Sequence, residues 1–584
     1  AVLAFTIPAL AKEAIEVNKI KTMVPFTVVI GNPPYSDSSQ NLEKAHRLLV
    51  DNFRYYRGER IREKGAIRFE HVINNDYVKF WGLGLQQLTR TMCGIVCMIT
   101  SNSFCGGKSF RGLRDSFLNS SQSICITDLH GEGWSGSVAM SGTHDENVFD
   151  IQTGVAISCL LKRERSDPTT YVSYGEIVGT YAEKATVLSA GGPKPEYRTV
   201  DLDVRKYLSF IPSSGPSRPE YWNWRQLDEW FESSIDGIKT SRDGLVVANT
   251  STACISKIKE FSDLDHDDVD QFGDTHSFST TNFDFEKAQF HTQKSFDPAL
   301  VHKFAYRPFD IRYIYYERHL ILSHRMNLMP RILDSDATAI VCASRLSSPG
   351  FEHAVGTDSL CSNKYSSHDI NSRMFPIVFS GEGLHADIIQ SNIRPGLLDQ
   401  AGVPTGPQVE RARLLGNYIL AILNAPTYRD RYMEEVQQDF PRVPAPKTWE
   451  FGGCIATLGE QLMKAHCLDL DVPGDAFPFT GNTSEPATTP RLEGTNLAVG
   501  KSSCIAGVKP DIWNFRLAGY QVAKSWLSAG NRSALSRKGA PLSSDLVDQY
   551  RSVLWAISET IRIQDEIDSV IEAHGGWPSA FSAV

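Results

Sequence analysis

The chain has 584 residues, with 59 Lys plus Arg against 68 Asp plus Glu, a formal charge of −9. That length exceeds what one hydrophobic core usually supports, so two or three domains are expected. The negative balance excludes a global basic field, and any DNA contact has to come from local patches.

In chain order, residues 1–11 are apolar enough to resemble a secretory signal, yet they carry no basic leader and no initiator Met. Leu3, Ile7, Leu10, Ala14 and Val17 follow helical spacing instead, which predicts a helix in a cytoplasmic protein whose N-terminus is missing. No run reaches the ~18 apolar residues needed to span a bilayer, so no membrane partner is expected. Residues 26–30 (FTVVI) predict a short strand buried on both faces, and ligands of open α/β sheets bind at the carboxyl ends of such strands. Gly31 and then Asn32-Pro33-Pro34-Tyr35 occupy that end. An amide, two prolines and an aromatic ring suit a site that methylates a planar amino group. The amino nitrogen of adenine is a poor nucleophile because its lone pair is delocalised into the ring, and the Asn32 side-chain oxygen and Pro33 carbonyl can accept its hydrogens. Pro33 and Pro34 fix φ and remove backbone donors, while Tyr35 can stack on a base flipped out of its duplex. The plainer alternative is a Pro-Pro turn after a strand.

Downstream, residues 76–90 predict a helix, 94–100 a strand, 109–119 a helix, and 123–129 and 154–162 two further strands. Such alternation argues for a doubly wound parallel sheet. The eleven cysteines lie mostly in apolar runs without C-x-x-C pairing, so reduced core thiols are expected rather than zinc or another metal. Gly/Pro punctuation places a boundary near Pro216. The expected organisation is 1–165 as the C-terminal part of a methyltransferase domain, 166–215 as linker, 216–470 as a DNA target-recognition domain, 471–510 as a loop-rich connection and 511–584 as a helical segment.

In the recognition half, Lys239 and Arg242 lie in a Gly-bounded loop suited to phosphate contact, or to nothing more than solvation. Residues 306–316 (YRPFDIRYIYY) offer Arg307 and Arg312 to base edges. The alternation of Phe309, Ile311, Tyr313 and Tyr315 favours a half-buried strand with an Arg307 to Asp310 clamp. Ser323-His324-Arg325 and Ser367-His368-Asp369 suggest a hydrolase, but neither has a nucleophile elbow and local triples do not assemble triads. Leu546, Tyr550, Val553, Ile557, Thr560, Gln564, Ile567 and Ile571 form an a/d seam with two polar members, predicting a long helix packed on another element.

With these residues in hand, the chain resembles the adenine-N6 methyltransferase and target-recognition region of Type ISP restriction-modification enzymes. The resemblance rests on Val29 to Ser36, Asp76 to Phe80, Phe110 to Arg114, Asp128 to Gly131, and Asp145 to Ile157 (DENVFDIQTGVAI). Farther on it rests on Gly237 to Asp243, Tyr306 to Arg312, Ala425 to Arg429, Asp439 to Pro444, Gly519 to Val522 and Trp526-Leu527. It implies an α/β fold: the C-terminal part of a Rossmann-like methyltransferase sheet, its strands four to seven with the last antiparallel, followed by an α+β recognition domain. It also implies S-adenosyl-L-methionine as methyl donor in the complete enzyme and double-stranded DNA as substrate, with Asn32, Pro33, Pro34 and Tyr35 as the matching catalytic residues.

No glycine precedes Gly31, and residues 1–25 leave no room for strands one to three. The cofactor motif, nuclease and ATPase of the family are therefore expected on a missing N-terminal half or a partner chain, and the chain alone is expected to be inactive. A downstream candidate for the cofactor loop is Phe379-Ser380-Gly381-Glu382-Gly383, of F-x-G-x-G form, although Pro376 breaks the run before it. A sheet cut between strands three and four would leave an apolar edge, predicting poor solubility. Two other readings stand beside the first: a DNA-recognition fragment without catalysis, and a protein-glutamine methyltransferase, which also uses N-P-P-Y but would not need so long a region after it.

Overall fold

The computed structural model describes residues 8–582 apart from 36–38, 40, 42, 63–65, 132–144, 165–169, 190, 191, 193, 203–206, 213–217, 266, 267, 279–282, 326, 334, 335, 344–350, 367–369, 382–387, 437, 438 and 529–536. The chain divides into two units, Ala1–Ser217 and Arg218–Val584.

The first unit contains α1 (Pro8–Met23), β1 (Val28–Gly31), α2 (Asp76–Arg90), β2 (Gly94–Ser101), α3 (Arg111–Ser120), β3 (Ser123–Asp128), β4 (Val155–Lys162), β5 (Tyr171–Glu176), α4 (Tyr181–Leu188) and β6 (Tyr197–Thr199). Its sheet runs β1-β2-β4-β3-β5-β6. β1 pairs parallel with β2, Val28 opposite Ile95. β4 is antiparallel to both neighbours, from Gly94 opposite Lys162 to Ser123 opposite Leu161. The late strand is antiparallel, as the methyltransferase resemblance implies, and is inserted between two earlier ones. Helix α2 starts where the Asn75 side chain accepts from Tyr77 N. Asp76 in its first turn and Arg90 in its last complement the helix dipole. Its apolar face carries Tyr77, Val78, Trp81, Leu85 and Leu88 into the core, where the Trp81 ring lies 4.7 Å from Phe117.

Three expectations are corrected here. β1 is not buried on both faces: it stands at the sheet edge, Ile30 is 81% exposed, and β2 is its only strand partner among the described residues. Residues 166–215 are not a linker, because β5 and β6 extend the same sheet, β5 parallel to β3 and β6 antiparallel to β5. The cysteines are not all reduced core thiols. Cys97 and Cys159 fall opposite each other across β2 and β4 and are joined as a disulfide, and Cys93 and Cys454 are exposed.

The second unit contains β7 (Ile235–Asp236), β8 (Val247–Ala248), α5 (Ser251–Asp263), α6 (Phe285–Ser295), β9 (Val301–Arg307), β10 (Asp310–Tyr315), β11 (Thr338–Ala343), β12 (Ala354–Thr357), β13 (Leu360–Cys361), β14 (Ser372–Ser380), β15 (Ile389–Ser391), α7 (Gln408–Asn424), α8 (Trp449–His466) and α9 (Ser544–Ala573). One sheet runs β7-β14-β11-β12 with β15 on β14, and another runs β8-β10-β9-β13. Residues 471–510, expected to be loop-rich, supply a small four-stranded sheet from Phe479–Thr480, Arg491–Glu493, Asn496–Ala498 and Cys504–Ile505.

α7, α8 and α9 pack together through Leu415, Ile419, Ile422, Ile455, Leu462, Ile563, Ile567 and Ile571. The approach of α8 to α7 requires Gly459, where a Cβ would meet the Asn417 carbonyl oxygen at 1.9 Å. The two polar members of the α9 seam are both satisfied. Thr560 Oγ1 donates to the Ala556 carbonyl at 2.7 Å, and Gln564 Nε2 donates to Asn424 Oδ1 at 3.5 Å.

Candidate functional site

Asn32, Pro33, Pro34 and Tyr35 follow β1 at its carboxyl end. Pro33 is buried, Asn32 and Pro34 are exposed and Tyr35 is half-buried. Tyr35 Oη lies 2.9 Å from Asn32 Oδ1 and 3.2 Å from the Ile99 carbonyl on β2, so one phenolic proton serves two acceptors. Burial pushes the Tyr35 hydroxyl up to about 12, which keeps it a neutral donor at physiological pH. The Tyr35 ring meets Phe149 at 5.4 Å between centroids and an angle of 41°.

Phe149 is the residue here that sequence reasoning missed, although it lies in the Asp145 to Ile157 stretch that carries part of the family resemblance. Its position is built from below. Asn147 Nδ2 donates to the carbonyls of Gly131 (2.8 Å) and Thr153 (2.9 Å), and its Oδ1 accepts from Phe149 N at 2.9 Å. Gly131 has φ +83°, and a Cβ there would strike Asn147 Cα at 2.5 Å, so only glycine lets the two backbones approach. Asp145 accepts from the backbone N–H groups of Gly131 (2.8 Å) and Gly179 (3.0 Å) and sits 2.8 Å from Lys184 Nζ. Burial alone would raise the Asp145 pKa; the bonds from Lys184 and the two glycines outweigh it, and the carboxyl is held below its usual range.

Beside this loop, Asp128 at the end of β3 accepts from Asn102 Nδ2 (3.1 Å), Tyr174 Oη (2.8 Å) and His130 N (2.9 Å). His130 Nε2 lies 3.2 Å from Glu176 Oε1. Burial lowers the imidazole pKa, but the Glu176 hydrogen bond and the charges of Asp128, Glu176 and Asp145 outweigh that and raise it. Among the described residues no group of His, Cys, Asp and Glu could hold a metal ion, and no helix is long and apolar enough to cross a membrane.

The expected recognition residues separate by burial. Lys239 is exposed. Arg242 is 7% exposed and lies over the Phe283 ring at 3.8 Å. Arg307 donates to the Tyr306 carbonyl (2.6 Å) and Ser362 Oγ (3.2 Å) and stacks on Tyr306. Arg312 is 1% exposed and chelates Asp310 through Nε (3.0 Å) and Nη2 (2.8 Å), and Arg537 adds a third bond at 3.0 Å. The expected Arg307 clamp on Asp310 is therefore an Arg312–Asp310–Arg537 cluster, and Arg312 is withdrawn from DNA contact. β10 is covered on both faces. Asp310, Arg312, Ile314 and Tyr315 are buried, Ile311 and Tyr313 are half-buried against the same core, and Phe309, fully buried, is a turn residue at φ +56°.

The Phe379 to Gly383 candidate does not fit a cofactor cradle. β14 runs through Pro376, and its end turns back into the antiparallel β15, with Gly381 N donating to the Ile388 carbonyl at 2.9 Å, instead of leading from a parallel strand into a helix. Glu382 and Gly383 lie outside the described residues, as do Ser367, His368 and Asp369.

The family model described as the Type ISP C-terminal specificity domain matches residues 229–566, more than half of the chain, and the chain belongs to that family. The model described as Eco57I restriction-modification methylase matches residues 8–134, the region that carries Asn32 to Tyr35. Among solved structures, the fold is similar to the ATP-dependent Type ISP restriction-modification enzyme LlaBIII bound to DNA, with TM-score 0.67 and 18% identity over 95% of this chain and 38% of that one. A nuclease-deletion mutant of the Type ISP enzyme LlaGI with a DNA substrate mimic gives TM-score 0.65 and 17% identity over 95% and 53%. The DrdV–DNA complex gives 0.63 and 18% over 96% and 58%. The chain thus spans 38 to 58% of the length of these proteins, and the likeness is one of fold. No curated protein matches it.

Proposed function

We propose that this chain supplies the base-acceptor side of a site-specific adenine-N6 DNA methyltransferase within a cytoplasmic restriction-modification enzyme, together with its target-recognition domain. The observation that carries the reading is Asn32-Pro33-Pro34-Tyr35 at the open carboxyl end of β1, with Phe149 set against Tyr35. An adenine extruded from its duplex would stack on Tyr35 with Phe149 at its margin. Its amino hydrogens would be accepted by Asn32 Oδ1 and the Pro33 carbonyl, which localises the lone pair on nitrogen. Pro34 holds the turn.

The methylase family implies S-adenosyl-L-methionine as the donor. In this reading the chain's part is the acceptor side of the reaction. Replacing Asn32 by Ala in the enzyme that carries this chain should abolish transfer of labelled methyl groups to duplex DNA. Unchanged methylation would refute the reading.

A second reading, favoured by the specificity-domain match over residues 229–566, is a DNA-recognition fragment without catalysis. Methyl transfer and duplex binding by the enzyme carrying Asn32→Ala separate the two: transfer lost with duplex binding kept supports the first reading, and both unchanged supports the second.

A further inference from the structure

We propose that a cleft beside Arg325 in the second unit seats a phosphate of the DNA backbone, an inference that rests on the reading of this chain as DNA-binding. Two stretches that no other role absorbs meet there. Ser323 N donates to the Lys239 carbonyl (2.9 Å) and Lys239 N to the Ser323 carbonyl (3.3 Å), zipping the Lys239 loop to Ser323-His324-Arg325. The cleft has a volume of about 700 Å³, and Ser233, Ser234, Ser323, His324, Arg325 and Arg331 are among its lining residues.

Its charge runs against that of the chain. Arg325 Nη2 is 3.8 Å from Asp236 Oδ2 and Arg373 Nη1 is 3.5 Å from Asp236 Oδ1. Two arginines thus share one carboxylate, with Arg331 and the exposed Lys239 close by, in a protein of net charge −9. Arg373 and Arg331 have structural duties. Arg373 Nε donates to Ser234 Oγ at 2.8 Å, while Arg331 donates to the Ser380 carbonyl at 2.7 Å and lies over Phe379.

His324 and Arg325 are different. His324 Nδ1 and Arg325 Nε are shielded from solvent and have no hydrogen-bond partner among the described residues. They sit on a held turn: Arg325 has φ +63°, its carbonyl accepts from Leu328 N and Met329 N, and the His324 carbonyl accepts from Tyr316 Oη. Guanidinium, imidazole and hydroxyl groups around one concavity, with the Asn327 amide also in its lining, suit an acceptor-only group such as a phosphodiester, a contact that positions the duplex and carries no sequence information.

The test uses this 584-residue chain and a fluorescent duplex, with anisotropy titrations from low to high salt. Arg325→Gln should weaken binding alike for unrelated sequences and make the slope of log K against log salt shallower by about 1. Lys239→Gln, at a side chain outside the core, guards against misfolding as the cause and should weaken binding in the same direction. Wild-type slopes in both variants would overturn the assignment while leaving DNA binding intact. No duplex binding by the wild type would overturn this inference and the DNA-binding reading together. Calorimetric binding of inorganic phosphate that Arg325→Gln abolishes, with duplex binding unaffected, would make the cleft a free-phosphate site and also overturn it.

Discussion

Lys184 Nζ sits 2.8 Å from Asp145 Oδ1 with both side chains buried, and it donates further to the carbonyls of Leu129 (2.6 Å) and Glu146 (2.5 Å). One ammonium thus fastens α4 to the loop that presents Phe149. Lys184→Met leaves a buried carboxylate without its cation, which costs about 3–5 kcal/mol. Urea unfolding of the first unit should show that loss, and methyl transfer by the enzyme carrying the variant should fall with it. A change within 0.5 kcal/mol, the range of an ordinary surface substitution, would mean that the pair is dispensable.

If Phe149 borders the extruded base, Phe149→Ala removes one aromatic wall and leaves Asn32 in place. Base-aromatic stacking is worth about 1–3 kcal/mol, so methylation should drop roughly ten- to a hundredfold. Phe149→Tyr should retain most of the rate. Equal rates for Ala and Phe would remove this residue from the site.

The Arg312–Asp310–Arg537 cluster makes a similar demand on the second unit. Burial alone would raise the Asp310 pKa, but the two guanidinium groups hold it well below the carboxylate range. Arg537→Met should destabilise this unit by about 3–5 kcal/mol. Asp310→Asn should be costly too, because it sets two buried cations against a neutral amide. Denaturant midpoints measure both, and a midpoint unchanged in Arg537→Met would contradict the cluster's role.

His466 is fully buried, and its Nδ1 accepts from Gly356 N at 3.0 Å. Burial, with Arg429 close by, lowers its pKa to about 3. The unfolded chain takes up a proton below about 6.5 and the folded one does not, so stability is full above that pH and falls as pH drops toward 3. At pH 5 the loss is about 2 kcal/mol. Replacing His466 by Gln should flatten the pH dependence of the unfolding free energy between pH 7 and 5. An unchanged slope would mean that the ring is protonated in the fold.

Phe26, Val28 and Ile30 are exposed, and among the described residues β2 is the strand partner of β1. An apolar strand edge is a template for pairing with another chain. Ile30→Lys should shift this chain toward monomer in sedimentation experiments, and no shift would mean that the edge is already protected.

Much of this was legible where local chemistry decides. The strand leading into Asn32 to Tyr35, the helix at 76–90, the strand at 155–162 and the α9 seam follow from periodicity and turn residues acting over a few positions, while the antiparallel sense of that strand came only with the family resemblance. What was not legible depends on distant partners. Lys184 lies in a stretch that reads as linker because its acceptors, Leu129, Asp145 and Glu146, come from far upstream. That the charged face of β10 is buried as well was not readable, because Asp310 and Arg312 look solvated until Arg537, more than two hundred residues away, completes their cluster. Phe149 carries no signal of its own, since an aromatic in a loop gains its meaning only from Tyr35 opposite.

The placement of β4 bears on how the chain comes to be folded. It is made after β2 and β3 yet sits between them, so until residue 162 has left the ribosome these two strands have no hydrogen-bonded neighbour joining them. The nascent chain must keep the β1–β2 pair and the lone β3 apart while it waits, and such late, long-range closure slows folding and exposes strand edges.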